Sequence, residues 1–273
     1  MTRHPPPPPV TRAVRAIVCR AVTGTGIGPG DMIGPRPTGK AAPMRLHTHE
    51  WGTGDRIAVL VHGIMSDHRT WHRVAPVLAG KGYRVVGVDL RGHGASGRGA
   101  YSPETWAGDL VETLPARPEL AIGHSLGAMA LAGAVEKLAP ARAVYCDPAW
   151  DLRKELVEAS AYFTVFKTAN RTMISGLNPR WDDTDLDIEL ATLADWDPAT
   201  ALVLPGIYSV SRTPARPVVP SLVLLAGASD LVRPGLGAEL VRRGFEVRTV
   251  EGAGHSLYRD DFDGFMSALD GWI

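Results

Sequence analysis

Six short apolar runs, most of them ending in glycine or a polar turn, alternate with segments whose apolar residues fall at helical spacing. The runs are "RIAVLVHG", "YRVVGVDLRGHG", "LAIG", "ARAVYCD", "SLVLLAGASD" and "EVRTVEGAGH". Runs of four to eight apolar residues bounded by turn signals read as buried strands. Strands alternating with helices at this length build a parallel sheet with helices on its faces, because parallel strands need a crossover connection. After Asp147 the rhythm breaks, and about 70 residues, ending near Arg216, read as helices and loops only. The pattern therefore predicts an α/β fold: a mostly parallel central sheet flanked by helices, with a helical cap at about 148–216 inserted after the strand "ARAVYCD", taken as the sixth strand of the sheet. "DDFDGFMSALDGWI" closes the chain as a helix.

The chain has 273 residues, 45% of them hydrophobic, enough for one large domain with a full core. A formal net charge of zero gives no electrostatic reason to expect nucleic acid. Cys19 and Cys146 form neither a metal spacing nor a disulfide framework, so a reducing, cytoplasmic setting is expected. No apolar run reaches the roughly 18–20 residues of a membrane span. Residues 1–42 stand apart, with a polyproline run, a glycine-rich stretch, and six Lys/Arg against one Asp. They are expected to be a disordered or low-complexity extension, and residues 43–273 the folded domain. Within the extension, Val10 to Ala21 has helical amphipathic spacing. "GPRPTGKA" falls short of a phosphate-binding loop because Ala41 replaces the Mg²⁺-holding hydroxyl, and "GTGIGPG" fails the dinucleotide spacing.

The stretch "ELAIGHSLGAMALAG" turns from strand to helix across Gly123-His124-Ser125-Leu126-Gly127. A sharp strand–turn–helix at the carboxyl end of a parallel strand lifts one side chain clear of the backbone. The turn forces that residue into strained φ/ψ, and side chains two before and two after would clash, hence glycine at both places. Serine needs a base to become a nucleophile, and the base needs a carboxylate to orient it. His255 follows the last strand and Asp230 follows "LVLLAG", in the chain order Ser, Asp, His. Asp147, after "ARAVYC", is the competing carboxylate. Asp230 is preferred because the loop "LVRP" follows it, whereas Pro148 and the cap follow Asp147. The backbone N–H groups of Ile64, after "VHG", and of Leu126 are the expected oxyanion donors.

With "VHGI", "DLRGHGASG", "GHSLGA", "LLAGASDLV" and "GAGHSL" in this order, the chain from about residue 45 onward resembles the α/β-hydrolase fold superfamily. It is similar to the esterase, lipase and cofactor-free haloperoxidase-like members with a helical cap. The resemblance implies Ser125 as nucleophile, His255 as base, Asp230 as acid, and the amides of Ile64 and Leu126 as oxyanion hole. It implies no cofactor and no metal, and a small-molecule substrate. Serine in the elbow argues against the Asp-nucleophile dehalogenases and epoxide hydrolases. The expected reaction is hydrolysis of a carboxylic ester, thioester or lactone with apolar flanks. The alternatives are C–C hydrolysis or perhydrolysis by the same triad, and a non-catalytic small-molecule receptor.

The other polar residues carry plainer expectations. His62 shapes its turn, His124 packs beside the elbow, and Asp89, Arg91 and His93 build a structural loop. His47 and His49 alternate on an edge strand with no third ligand nearby in sequence. The acids of "WDDTDLDIE" favour a helix N-terminus and face solvent. In the cap, Tyr162, Phe163, Phe166, Met173, Trp181 and Trp196 pack on one another, and Trp181, Trp196 and the neighbouring Trp150 are expected to line the path to Ser125.

Overall fold

The computed structural model describes residues 42–273. The expectations for the extension, including the segment at 10–21 and the two glycine-rich near-motifs, lie outside the described residues. In chain order the elements are β1 (Thr48–Trp51), β2 (Arg56–Val61), α1 (Val74–Gly80), β3 (Tyr83–Val88), α2 (Pro103–Thr113), β4 (Leu120–His124), α3 (Leu126–Leu138) and β5 (Arg142–Cys146). The cap follows with α4 (Lys154–Ala159), a 3-10 segment Ser160–Thr168, α5 (Arg171–Leu177), α6 (Asp183–Asp195), α7 (Ala199–Leu202) and α8 (Leu204–Ile207). The chain returns to the sheet with β6 (Ser221–Ala226), α9 (Leu236–Arg242), β7 (Glu246–Val250), α10 (Leu257–Asp260) and α11 (Phe262–Ala268).

The seven strands lie in the order β1-β3-β2-β4-β5-β6-β7. Only β1 is antiparallel, on β3 at one edge; the other five pairings are parallel. Parallel pairing sends β2, β3, β4, β5, β6 and β7 to one rim with their carboxyl ends, so the loops of one rim carry the chemistry. The cap leaves the sheet after β5, the fifth strand among the described residues rather than the sixth counted from the sequence. Among the described residues no helix is long and apolar enough to cross a membrane.

Both faces of the sheet are covered, as near-continuous apolar strands require. One face packs Val59, Val61 and Ala121 under α2 and α3 through Trp106, Leu110, Leu131 and Val135. The other packs Leu60, Ile122 and Leu224 against Trp71, Leu78, Tyr258 and Phe265. Helix α2 starts at a capping box: Ser102 Oγ accepts from the Thr105 N–H at 3.1 Å and Thr105 Oγ1 from the Ser102 N–H at 2.9 Å, with Pro103 in the first turn. The cap has its own small core of Phe166, Ile174, Leu186, Leu193, Trp196 and Ala201.

Candidate active site

Ser125 stands between β4 and α3 with φ 52° and ψ −116°, outside the comfortable regions for a residue with a Cβ. The two pentad glycines are sterically required. A Cβ on Gly123 would come within 2.8 Å of the Gly127 carbonyl oxygen, and one on Gly127 within 2.2 Å of the His62 carbonyl oxygen. The Ser125 amide donates to the Cys146 carbonyl at 3.0 Å, which ties the elbow to the neighbouring strand.

His255 Nε2 lies 2.9 Å from Ser125 Oγ, and its Nδ1 lies 2.7 Å from Asp147 Oδ2. This is the arrangement in which a carboxylate fixes the imidazole tautomer and Nε2 can take the hydroxyl proton. Asp147 is fully buried and has φ 36°, so both ends of the hydrogen-bonded chain sit on left-handed backbone at the tips of adjacent strands. Its carboxylate also accepts from Ser229 Oγ at 2.8 Å and from the Ala226 N–H at 3.3 Å.

The expectation that Asp230 orients His255 is therefore corrected. Asp230 lies four residues beyond the end of β6 and faces Arg153 Nη2 at 3.3 Å. The loop after β6 does reach the site, but through Ser229. Asp147 wins because it directly follows β5, which pairs β4 with His124 opposite Cys146, and so it emerges beside the elbow.

Two buried histidines hold this rim. His124 Nε2–H donates to the His255 carbonyl at 2.9 Å, leaving Nδ1 to face the Tyr258 hydroxyl at 3.5 Å. Burial, then the nearby His255, pushes its pKa well below the ordinary imidazole value, so it is neutral and positions rather than titrates. His62 Nε2 accepts the Leu90 N–H at 2.9 Å and its Nδ1–H donates to the Gly63 carbonyl at 2.6 Å, which fixes the turn that presents Ile64.

Ser125 and His255 open into a cavity of about 220 Å³. Ile64 and Leu126 line it beside the hydroxyl, and Leu126 is the first residue of α3, so its N–H has no acceptor within the helix. Phe163, Phe166, Ile174 and Trp181 supply an apolar wall from the cap. Of the three tryptophans expected there, only Trp181 lines the cavity. Trp150 is fully buried against Tyr145 and Phe245, at centroid distances of 4.8 and 5.9 Å, beside the sheet. Trp196 is fully buried in the cap's own core and donates Nε1–H to Thr200 Oγ1 at 2.6 Å. The side chain of Tyr162 lies outside the described residues.

Sequence reasoning missed a buried charged joint between cap and sheet domain. Arg259, four residues after His255, donates Nε–H to Asp185 Oδ1 at 2.9 Å and Nη1–H to Glu189 Oε2 at 2.7 Å. Its guanidinium lies over the Trp181 ring at 3.5 Å, and Trp181 Nε1–H donates to Asp260 Oδ1 at 2.8 Å. Asp182 caps α6 as expected, but Asp185 is buried rather than facing solvent. The available signal was Asp185 and Glu189 at i, i+4 on one helix face, with no basic partner within that helix. Burial pushes the Glu189 and Asp260 carboxyls above their ordinary range.

A seven-stranded sheet carrying a serine elbow at the tip of β4 and a histidine after its last strand is the architecture of an α/β hydrolase. The chain matches the Alpha/beta hydrolase family over residues 58–268, and it belongs to that family. It is 28% identical over 250 residues to N-formylmaleamate deformylase of Pseudomonas putida, covering 84% of this chain and 93% of that protein. Among solved structures it resembles E-2-(acetamidomethylene)succinate hydrolase, at 21% identity and TM-score 0.72 over 83% of this chain and 94% of that one. It also resembles the enol-lactonase of Burkholderia xenovorans, at 23% identity and TM-score 0.66 over 83% and 95% of the two chains. These structural likenesses speak to the fold. The relatives are hydrolases, and so is the family to which the chain belongs.

Proposed function

We propose that the protein is a serine hydrolase that cleaves a carboxylic ester, thioester or lactone of a small to medium apolar substrate through an acyl-enzyme. The observation that carries this reading is the hydrogen-bonded chain Ser125–His255–Asp147 at the floor of a largely apolar cavity. His255 takes the Ser125 proton as Oγ attacks the acyl carbon. The amides of Ile64 and Leu126 receive the developing oxyanion, and His255 returns the proton to the leaving group. Water, activated by the same imidazole, then releases the acid. Asp147 keeps Nδ1–H pointing away from the serine and stabilises the imidazolium.

A second reading is hydrolysis of an N-acyl bond such as a formamide. It rests on the deformylase relative, which spans most of both chains. The same nucleophile serves both; the difference is a leaving nitrogen that His255 must protonate. A panel of 4-nitrophenyl esters of rising acyl length, run beside an N-formyl amide and with Ser125→Ala as blank, separates the two. Ester turnover well above amide turnover, abolished in Ser125→Ala, is the expected result. Turnover of either substrate that survives Ser125→Ala would overturn both readings.

A further inference from the structure

The sequence offered His47 and His49 without a third metal ligand; folding supplies two more donors. In the antiparallel pairing of β1 with β3, Thr48 lies opposite Val88, so His47 comes level with Asp89, whose N–H donates to the His47 carbonyl at 3.0 Å. The 3-10 turn His68–Trp71 brings a second imidazole to the same carboxylate. His47 Nδ1 is 2.9 Å from Asp89 Oδ2, and His68 Nδ1 is 2.7 Å from Asp89 Oδ1. All three donor atoms lie within 4.8 Å of one another.

We propose that His47, His68 and Asp89 bind a divalent first-row transition metal of the Zn²⁺ class, at a site separate from the reaction cavity. Two imidazole nitrogens and one carboxylate oxygen form a donor set suited to such ions, with open positions left for water. The carboxylate is a preformed anchor: it is fully buried and also accepts the His68 and Ala95 amides at 2.9 and 3.0 Å. Both of its oxygens face N–H groups or imidazole nitrogens, Oδ1 the His68 amide and Nδ1, Oδ2 the Ala95 amide and His47 Nδ1, so the carboxylate is held in place toward the two rings. The imidazoles are the adjustable members, with the His47 side chain 41% exposed and that of His68 16% exposed. That gradient leaves an entry path from solvent.

Ligands about 2.1 Å from a metal lie roughly 3.0–3.4 Å apart, so the rings must back away slightly from the carboxylate, and the three donors, now within 4.8 Å of one another, must close on a common centre. In the metal-free form both Nδ1–H groups point at Asp89. To ligate, each ring must present the Nδ1 lone pair, which is its Nε2–H tautomer. The His49 ring stacks on His68, with centroids 5.0 Å apart and 14° between planes, and is a neighbouring ring outside the ligand set. Gly87 leaves room for the Trp51 ring and for His68 beside it, since a Cβ there would come within 2.7 Å of Trp51 Cζ3 and 3.2 Å of His68 Cβ. None of the three ligands lines the reaction cavity.

The test uses the full-length chain, freed of metal by a chelator. Zn²⁺ is titrated by calorimetry, and Co²⁺ is followed by its visible ligand-field absorption. One equivalent should bind with a Kd at or below about 10 µM. His47→Ala and His68→Ala should each weaken binding about 10- to 100-fold. His49→Ala and His255→Ala should stay within about threefold of wild type, which separates the site from a neighbouring ring and from the hydrolytic centre. Circular dichroism confirms folding, and His47 is at an exposed strand edge where truncation is tolerated. Binding weaker than about 100 µM, or binding equal to wild type in either His47→Ala or His68→Ala, overturns the proposal. Loss of binding in His255→Ala alone would place the metal on the other histidine and equally overturn it.

Discussion

The carboxyl rim of the sheet and the cap that covers it obey different rules. On the rim, Ser125 and Asp147 directly follow β4 and β5, His255 comes five residues after β7, and strand register sets the first two: His124 pairs with Cys146, so Ser125 and Asp147 emerge side by side. In the cap, position depends on side-chain packing between short helices. There Trp181 faces the cavity while Trp196, fifteen positions on, is sealed in the cap core. A group set by a local turn at a strand's end is readable from the chain, whereas one set by helix packing, or by which of two strands supplies it, is not.

That difference can be broken first at the nucleophile. Ser125→Ala or His255→Ala should each lower kcat by about four to six orders of magnitude, since members of such a triad act as a unit. Activity within tenfold of wild type in either folded variant would remove the rim from the chemistry. The joint between the regions comes next. Arg259→Met leaves the buried Asp185 and the half-buried Glu189 without the Arg259 cation and should cost about 3–5 kcal/mol of stability, read from urea unfolding. Arg259→Lys should recover only part, because a single ammonium cannot make both contacts while stacking on Trp181. A wild-type midpoint in Arg259→Met would mean that the cap is held elsewhere.

Within the cap, Trp181→Ala should change relative kcat/KM along an acyl-length series by about 1–3 kcal/mol, with a small loss of stability. Trp150→Ala and Trp196→Ala should do the reverse, unfolding more easily by about 3–5 kcal/mol with an unchanged length profile. Equal length profiles in all three variants would contradict the assignment of Trp181 to the wall. The effect that is smallest near neutral pH belongs to the loop under the rim. His93 is buried, and burial followed by the facing His62 lowers its pKa to about 3. The unfolded chain protonates at about 6.5 while the native one stays neutral, so this contribution is whole above 6.5 and is lost as pH falls from there toward 3. Glu189 and Asp260, with raised values, act in the opposite sense. Comparing wild type with His93→Phe isolates the histidine: the wild type should lose about 1.4 kcal/mol more per pH unit below 6.5. Parallel stability curves would refute it.

The strand–helix alternation, the elbow and the histidine after the last strand were legible because each rests on a local constraint: an apolar run, a glycine pair, a turn. The carboxylate was not. Asp147 and Asp230 both follow strands that end on one rim, and the choice depends on the left-handed backbone at Asp147 and on Arg153 engaging Asp230. Both are tertiary outcomes. Asp185, Glu189 and Arg259 were equally hidden, since their pairing spans 70 or more residues of chain.

The central claim is that Asp147, on the strand beside the nucleophile, orients His255. Asp147→Asn and Asp230→Asn should be compared side by side, by kcat on the best ester, with folding checked by circular dichroism. Amide replacement of the orienting carboxylate costs about four orders of magnitude in a serine protease triad, because it favours the wrong tautomer. Asp147→Asn should therefore lose about 10³- to 10⁴-fold in kcat, while Asp230→Asn stays within about threefold of wild type. A folded Asp147→Asn enzyme that turns over normally, beside an inactive Asp230→Asn, would contradict the account.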